Sequence, residues 1–221
     1  PDWYSFSFSL RDNARAALTA AGHDLSSYRS VILYFPNAGC PYAGLGGGGT
    51  IWVNGYLGRG LLVHELGHDL GLGHASDLSC TDGEGGPSLP LSVSCEAGEY
   101  DDPTDVMGYG GALFAGPHLN DLGWFGPGEL EELHTPTSGT VDISRELAPL
   151  ESPASGLRAV RVTDADGLSY WFENRQAVGL DTSVFSPGAE GMRLHFLPGA
   201  GVRIPCGGNV SGAGCAGDQY L

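Results

Sequence analysis

One eleven-residue stretch constrains this chain more than any other, because it places three histidines at spacings of four and six residues. Residues four apart share a helix face, so His64 and His68 can present two imidazole nitrogens to one ion. His74 would lie on a different face if the helix continued, so we expect the helix to end at Gly71, where glycine tolerates left-handed geometry. The stretch reads His64-Glu65-Leu66-Gly67-His68-Asp69-Leu70-Gly71-Leu72-Gly73-His74.

The residue types in this stretch favour hydrolytic metal chemistry. Three histidines with one open coordination position are typical of a catalytic Zn²⁺ site. Glu65 follows the first of them and can act as general base, taking a proton from water activated by the metal and passing it to a leaving amine. Asp69 lies beside a candidate ligand, where it either orients that ligand or is a solvated charge.

The same residues match the motif H-E-x-x-H-x-x-G-x-x-H, and the chain resembles the metzincin zinc metallopeptidases. That family places a methionine-containing turn beneath its metal, and the residues 105–109, Asp-Val-Met-Gly-Tyr, resemble it. The resemblance makes Met107 the apolar floor of the site. It makes Tyr109 similar to the tyrosine that astacins and serralysins use as a further ligand or transition-state donor, although an ordinary packed tyrosine would look the same.

Within the metzincins, the chain is most similar to the gametolysin-like family. Ala75 follows the third histidine, where matrixins, astacins, serralysins and adamalysins tend to have Ser, Glu, Pro and Asp respectively. The phrases that carry the gametolysin-like resemblance lie at 100–108, 119–125 and 170–175. The resemblance implies that strand 50–54 forms the upper edge of a cleft and pairs with extended substrate. It also makes His118 a candidate substrate contact, although a surface histidine is the simpler interpretation.

The charge distribution excludes several partners. The net charge is −16, and all ten basic residues are arginines. There is no basic residue between Arg59 and Arg145. Nucleic acid and anionic membrane surfaces both require clustered Lys or Arg, so neither is expected as a partner. No apolar run is long enough to span a bilayer.

The five cysteines predict an oxidising compartment. Cys80 and Cys95 bracket one loop rich in Gly, Ser and Pro, and Cys206 and Cys215 bracket another. We expect loop-closing disulfides at both places and a secreted, extracellular protein. Cys40 is then either free or paired outside these residues.

Acidic residues are concentrated between the third histidine and the methionine turn. A structural Ca²⁺ is one interpretation of this segment, because hard cations take oxygen ligands from such loops, and a solvated loop is the other. The residues are Asp77, Asp82, Glu84, Glu96, Glu99, Asp101, Asp102 and Asp105.

The order of predicted elements indicates an α+β fold. Alternation predicts a strand at 3–10, and the next segments predict helix 12–21, strands 30–35 and 50–54, and helix 61–70. An irregular acidic stretch, 75–105, and a short helix near 118–125 follow. Strands are predicted at 140–143, 158–163, 169–174 and 191–196. We expect a zincin or metzincin-like catalytic domain, 1–127, with a twisted mixed sheet and the active-site helix, and a β-rich C-terminal segment, 128–221, packed on it or appended to it.

These observations favour a monomeric secreted zinc metalloendopeptidase acting on protein or glycoprotein substrates. Two alternatives remain open. One is a zinc-containing binding or adhesion module with little hydrolysis, against which the intact Glu65 argues. The other is a zinc amidohydrolase that cleaves non-peptide amides, against which the predicted edge strand argues.

Overall fold

The computed structural model describes residues 2–81, 94–108, 113–153, 155–165, 167–184 and 190–197. It has an α+β fold, as the sequence predicts, and contains two mixed sheets; the chain forms two compact units, Pro1–Leu72 and Gly73–Leu221. The first unit contains α1 (Trp3–Ala20), β1 (Val31–Phe35), β2 (Gly44–Gly47), β3 (Thr50–Asn54) and α2 (Arg59–Leu70). The second contains β4 (Asp77–Thr81), β5 (Ser94–Gly98), α3 (Gly116–Asp121), β6 (Leu130–His134), β7 (Ala159–Thr163), β8 (Ser169–Arg175) and β9 (Gly191–Leu197). Short 3₁₀ turns lie at Leu25–Ser27 and Gly179–Ser183.

The N-terminal segment is a helix, so the prediction of a strand at 3–10 is wrong. Asp2 caps α1 by accepting a hydrogen bond from the Tyr4 N–H at 3.1 Å, so the helix begins well before the predicted start at residue 12. The small side chain of Ser7 is fully buried, and its hydroxyl donates to the Trp3 carbonyl one turn earlier. The small side chain at position 7 therefore allows the helix to approach the sheet closely.

The sheet of the first unit has the strand order β1-β3-β2, with β1 parallel and β2 antiparallel to β3. All five residues of β3 are buried. On one face, Trp52 donates its indole N–H to the Ser7 carbonyl of α1 at 2.8 Å. On the other, Ile51 lies beside Gly46, against which α2 packs. The two helices thus cover opposite faces of the sheet.

The strand order β1-β3-β2 shows that the prediction of strand 50–54 as the edge strand is wrong. Strand 50–54 exists, but β3 is the central strand and its hydrogen-bonding groups are taken by both neighbours. Within the described part of the chain, the antiparallel edge is β2, for which the sequence predicts no strand. Three of its four residues are glycines, so the strand shows no pattern of alternating hydrophobicity.

The second unit opens with the antiparallel hairpin β4–β5, in the segment expected to be irregular. Its larger sheet has the order β6-β7-β8-β9, with β6 and β7 parallel. Three of its strands match predicted ones within a residue or two. The strand expected at 140–143 does not form, and β6 lies instead at Leu130–His134.

The interior of the second unit holds a network of charged side chains. Arg175 is fully buried and donates two hydrogen bonds to Asp181, at 2.7 and 2.8 Å, and a third to Glu173 at 3.0 Å. The other carboxylate oxygen of Glu173 accepts from the backbone N–H of Gly116 at 2.6 Å. The sheet is therefore bonded to the start of α3, so the C-terminal β-rich segment is integral to this unit.

Candidate metal centre

Helix α2 carries two of the candidate ligands and ends where the sequence predicts a turn. Gly71 caps it in the left-handed conformation, with φ 102°, and its N–H bonds to the last turn of the helix. This geometry is strained for residues with a Cβ atom. The chain therefore leaves the helix axis three residues before His74.

His64 and His68 direct the same ring atom to the same place. Their Nε2 atoms are 3.1 Å apart. Two ligand atoms of a tetrahedral zinc site are separated by about 3.3 Å when each Zn–N bond is about 2.0–2.1 Å. The Nδ1 atom of His68 lies 2.9 Å from the Leu72 carbonyl. Because a carbonyl only accepts hydrogen bonds, Nδ1 carries the proton in this contact and Nε2 presents its lone pair.

His74 follows on the same continuous stretch of chain. Its Nδ1 atom is 2.9 Å from the Oε1 atom of Glu99, a contact that also favours a lone pair on Nε2. One potential ligand atom from each of His64, His68 and His74 lies within 4.8 Å of the others. Among the residues that the structure describes, this is the one such group of three or more His, Cys, Asp or Glu. Three neutral imidazoles suit zinc among the common divalent ions.

The side chain of Glu65, a residue of α2, packs against the backbone of β2. A Cβ atom added to Gly44 would lie 2.4 Å from the Glu65 Oε1 atom, and one added to Gly46 would lie 2.0 Å from the Glu65 carbonyl oxygen. The two glycines thus allow the strand to contact the helix. Burial raises the pKa of Glu65 to about 7, and a hydrogen bond from the Gly46 backbone opposes that rise. A carboxyl group with such a pKa can accept and release a proton near neutral pH.

Asp69 has a different role from either expectation. Its carboxylate accepts a hydrogen bond from the backbone N–H of Gly49 at 2.6 Å and another from the hydroxyl of Ser30. It therefore fastens α2 to the loop ends beside β1 and β3.

The methionine turn is joined to the residue that follows His74. The Ala75 N–H donates to the Met107 carbonyl at 3.0 Å, and the Met107 side chain is fully buried. Asp105 holds the turn by accepting hydrogen bonds from the backbone N–H groups of Met107, at 2.7 Å, and Ala115, at 2.8 Å. Tyr109, the candidate ligand or donor, lies outside the described residues.

The expectation of a surface histidine at 118 is wrong. His118 is fully buried, and its Nδ1 atom is 2.6 Å from the Asp105 carboxylate. It belongs to the interior that supports the turn. The sequence gives no signal for this role, because the pairing depends on how the chain folds between the two residues.

The cysteine predictions fall largely outside the described side chains. Cys80 and Cys95 are directly opposed by register in the hairpin, but their side chains are not among those described. Cys206 and Cys215 lie outside the described residues altogether. Cys40 is half-buried and forms no disulfide with any cysteine among the described residues.

Two residues that contact the candidate site were not predicted from the sequence. Glu99 is expected only as part of the acidic segment, yet it contacts His74. Gly46 has no expected role, yet it contacts Glu65. No signal identifies Glu99, which is 25 residues from its histidine. The spacing of Gly44 and Gly46 is a weak signal of a strand lying close to another backbone.

No family model matches the chain, and neither a curated protein nor a solved structure matches it. Among the described residues, no helix has the length and apolar character needed to cross a membrane.

Proposed function

We propose that the chain is a zinc-dependent endopeptidase of the metzincin type. The observation that carries the proposal is the convergence of the His64 and His68 Nε2 atoms at 3.1 Å, with Glu65 between them in sequence on the same helix. The residues suit the metal by donor type, spacing and tautomer. We assign His64, His68 and His74 as ligands, and retain from the metzincin resemblance Met107 as the apolar floor and Tyr109 as a candidate ligand or donor.

When bound, zinc would act as a Lewis acid that polarises the scissile carbonyl and lowers the pKa of the attacking water. Glu65 accepts the proton from the attacking water and delivers it to the nitrogen of the leaving amine. Its packing against Gly44 and Gly46 fixes the carboxylate and limits its access to bulk water.

The edge strand favours an extended peptide as substrate. Strand β2 pairs with β3 on one side, and no strand of the described residues pairs with its other side, where an extended peptide can add as a further strand. This strand lies directly against Glu65. We therefore assign substrate pairing to β2 rather than to β3. The cysteine content supports action outside the cytoplasm. Protein or glycoprotein substrates and a monomeric state are further parts of the proposal.

The test compares the wild type with Glu65→Gln and His68→Gln for casein hydrolysis and bound zinc. The proposal predicts about one zinc per chain and hydrolysis in the wild type, zinc without hydrolysis in Glu65→Gln, and loss of both in His68→Gln. Glu146→Gln, at an exposed position, is the matched control and should behave as wild type.

The outcomes also separate the two alternatives. Zinc binding without cleavage of any peptide by the wild type would favour a binding module. Cleavage of small amides but not of peptides would favour an amidohydrolase. A wild-type chain that binds no zinc would contradict the metal centre.

A further inference from the structure

His74 is held from two sides by consecutive residues that follow β5. The Glu99 carboxylate contacts its Nδ1 atom at 2.9 Å. The Tyr100 ring lies over the imidazole, with 3.8 Å between ring centroids and an angle of 38° between their planes. One contact thus fixes the tautomer of the ring, and the other restricts its rotation.

The backbone of Tyr100 is strained. Its φ is 68°, and it is the one non-glycine residue with positive φ in the part of the chain that the structure describes. This left-handed conformation is energetically unfavourable for a residue with a Cβ atom and is usual for glycine or asparagine. A conformation of this kind persists only where surrounding contacts determine it, and such residues cluster at functional sites.

Core packing is a poor explanation for that strain. Tyr100 is exposed to 41 % of its reference area, so the burial of its ring gives only part of the stabilisation that a fully buried aromatic ring would give. The strained conformation instead directs the ring onto His74. The nearby turn is defined by a hydrogen bond from the Asp101 N–H to the Gly98 carbonyl at 3.1 Å, which a glycine at position 100 would also permit.

We propose that Glu99 and Tyr100 are positioning residues that clamp His74 in the orientation and tautomer required to bind a divalent transition metal. Glu99 fixes the tautomer of His74 in the same way as the Leu72 carbonyl fixes the tautomer of His68. The difference is that His74 lies beyond the helix, where no helical turn holds its ring. The β4–β5 hairpin is then the element that delivers the clamp. This inference rests on the proposed zinc centre.

The experiment measures the zinc dissociation constant of the full chain by competition with a chromophoric chelator. Glu99→Ala is expected to weaken zinc binding by about 10- to 100-fold, as removal of a group that orients a histidine ligand typically does. Glu99→Gln keeps a carbonyl acceptor and should restore most of the affinity. Glu146→Ala is the control at an exposed glutamate.

The Tyr100 variants separate positioning from a structural role. Tyr100→Gly relieves the backbone strain, so the metal-free chain should keep or raise its Tm while its zinc affinity falls. Tyr100→Phe keeps the ring and should restore the affinity. With Co²⁺ in place of zinc, the visible absorption of Glu99→Ala and Tyr100→Gly should change in shape or intensity, because the ligand field depends on ring orientation.

Wild-type affinity in both Glu99→Ala and Tyr100→Gly would overturn the inference. So would a large loss of metal-free Tm in Tyr100→Gly with unchanged zinc affinity, since the ring would then be structural. These results differ from failure of the proposed function, in which the wild type itself binds no zinc.

Discussion

Asp105 and His118 form a hydrogen-bonded pair in the interior of the second unit, with 2.6 Å between Oδ2 and Nδ1 and side chains that are 1 % and 0 % exposed. The same carboxylate accepts from the backbone N–H groups of Met107 and Ala115. The Asp105 side chain therefore stabilises the methionine turn through hydrogen bonds to three different groups.

We predict that Asp105→Asn lowers the free energy of unfolding by roughly 2–3 kcal/mol. The amide has one acceptor oxygen and would turn a donor toward groups that already donate, leaving at least one buried donor without an acceptor. Chemical denaturation of both proteins measures the difference. Asp142→Asn, at an exposed position, is the control and should change stability by less than about 0.5 kcal/mol. Equal stability of the two variants would show that the turn does not depend on Asp105.

A second prediction concerns the contact between β2 and α2. Gly46→Ala should destabilise the chain by about 1–3 kcal/mol and reduce peptide hydrolysis, because the added methyl group would lie 2.0 Å from the Glu65 carbonyl oxygen. The strand or the helix must then shift. Thermal unfolding and casein cleavage measure the two effects.

Gly60→Ala provides the matched control, because nothing lies within 4 Å of its added Cβ atom. At this position in α2 the alanine should leave hydrolysis unchanged and raise stability by up to about 1 kcal/mol. Undiminished activity in Gly46→Ala would contradict the assigned role of the β2 contact.

A third prediction is that stability depends on pH through His195. Its Nε2 atom is 3.4 Å from Glu173, and its Nδ1 atom is 3.6 Å from Asp102. Burial alone would lower the pKa of His195, but the charges of Glu173, Asp102 and Asp105 raise it above its usual 6.5. The stabilisation is therefore complete below pH 6.5 and is lost as the pH rises through the folded-state pKa.

Glu173, the carboxylate beside His195, determines how the stability changes at low pH. Burial would raise the pKa of Glu173, but His195 and Arg175 lower it from 4.5 to about 2. Its contribution is therefore present above pH 4.5 and is lost as the pH falls toward 2. Together the two groups favour a stability maximum between about pH 4.5 and 6.5.

Thermal unfolding from pH 3 to pH 9 tests this pair. His195→Gln should lower the Tm by several degrees at pH 6 and by less at pH 9, where the wild-type histidine has lost its charge. His134→Gln, an exposed histidine in the same sheet, should reproduce the wild-type profile. A difference between wild type and His195→Gln that stays constant with pH would exclude an ionic contribution from His195.

The sequence predicts best those features that depend on neighbouring residues. The register of His64 and His68 follows from helix geometry, and the turn at Gly71 follows from the need to redirect His74. Strands β1 and β3 were also predicted at nearly their observed bounds, because both are short apolar runs bounded by Pro, Gly or polar residues.

Features that depend on distant partners were not predictable in this way. Alternation at 3–10 indicated a strand, but the cap at Asp2 and the buried Ser7 favour a helix that packs on the sheet. The central position of β3 depends on which strands pair with it. Glu173 contacts the Gly116 backbone 57 residues away, and no local pattern encodes that contact.

The bond between Glu173 and Gly116 also bears on how this chain can be shortened. A fragment ending at residue 127, after α3, would retain the three candidate metal ligands. It would lose Glu173, Arg175 and His195. The Gly116 N–H and the Asp102 carboxylate would then lose partners that the intact interior supplies. A minimal fragment that keeps this interior must therefore extend through β9, and insertions or fusions are better accommodated at the exposed segment 135–145, which lies between strands.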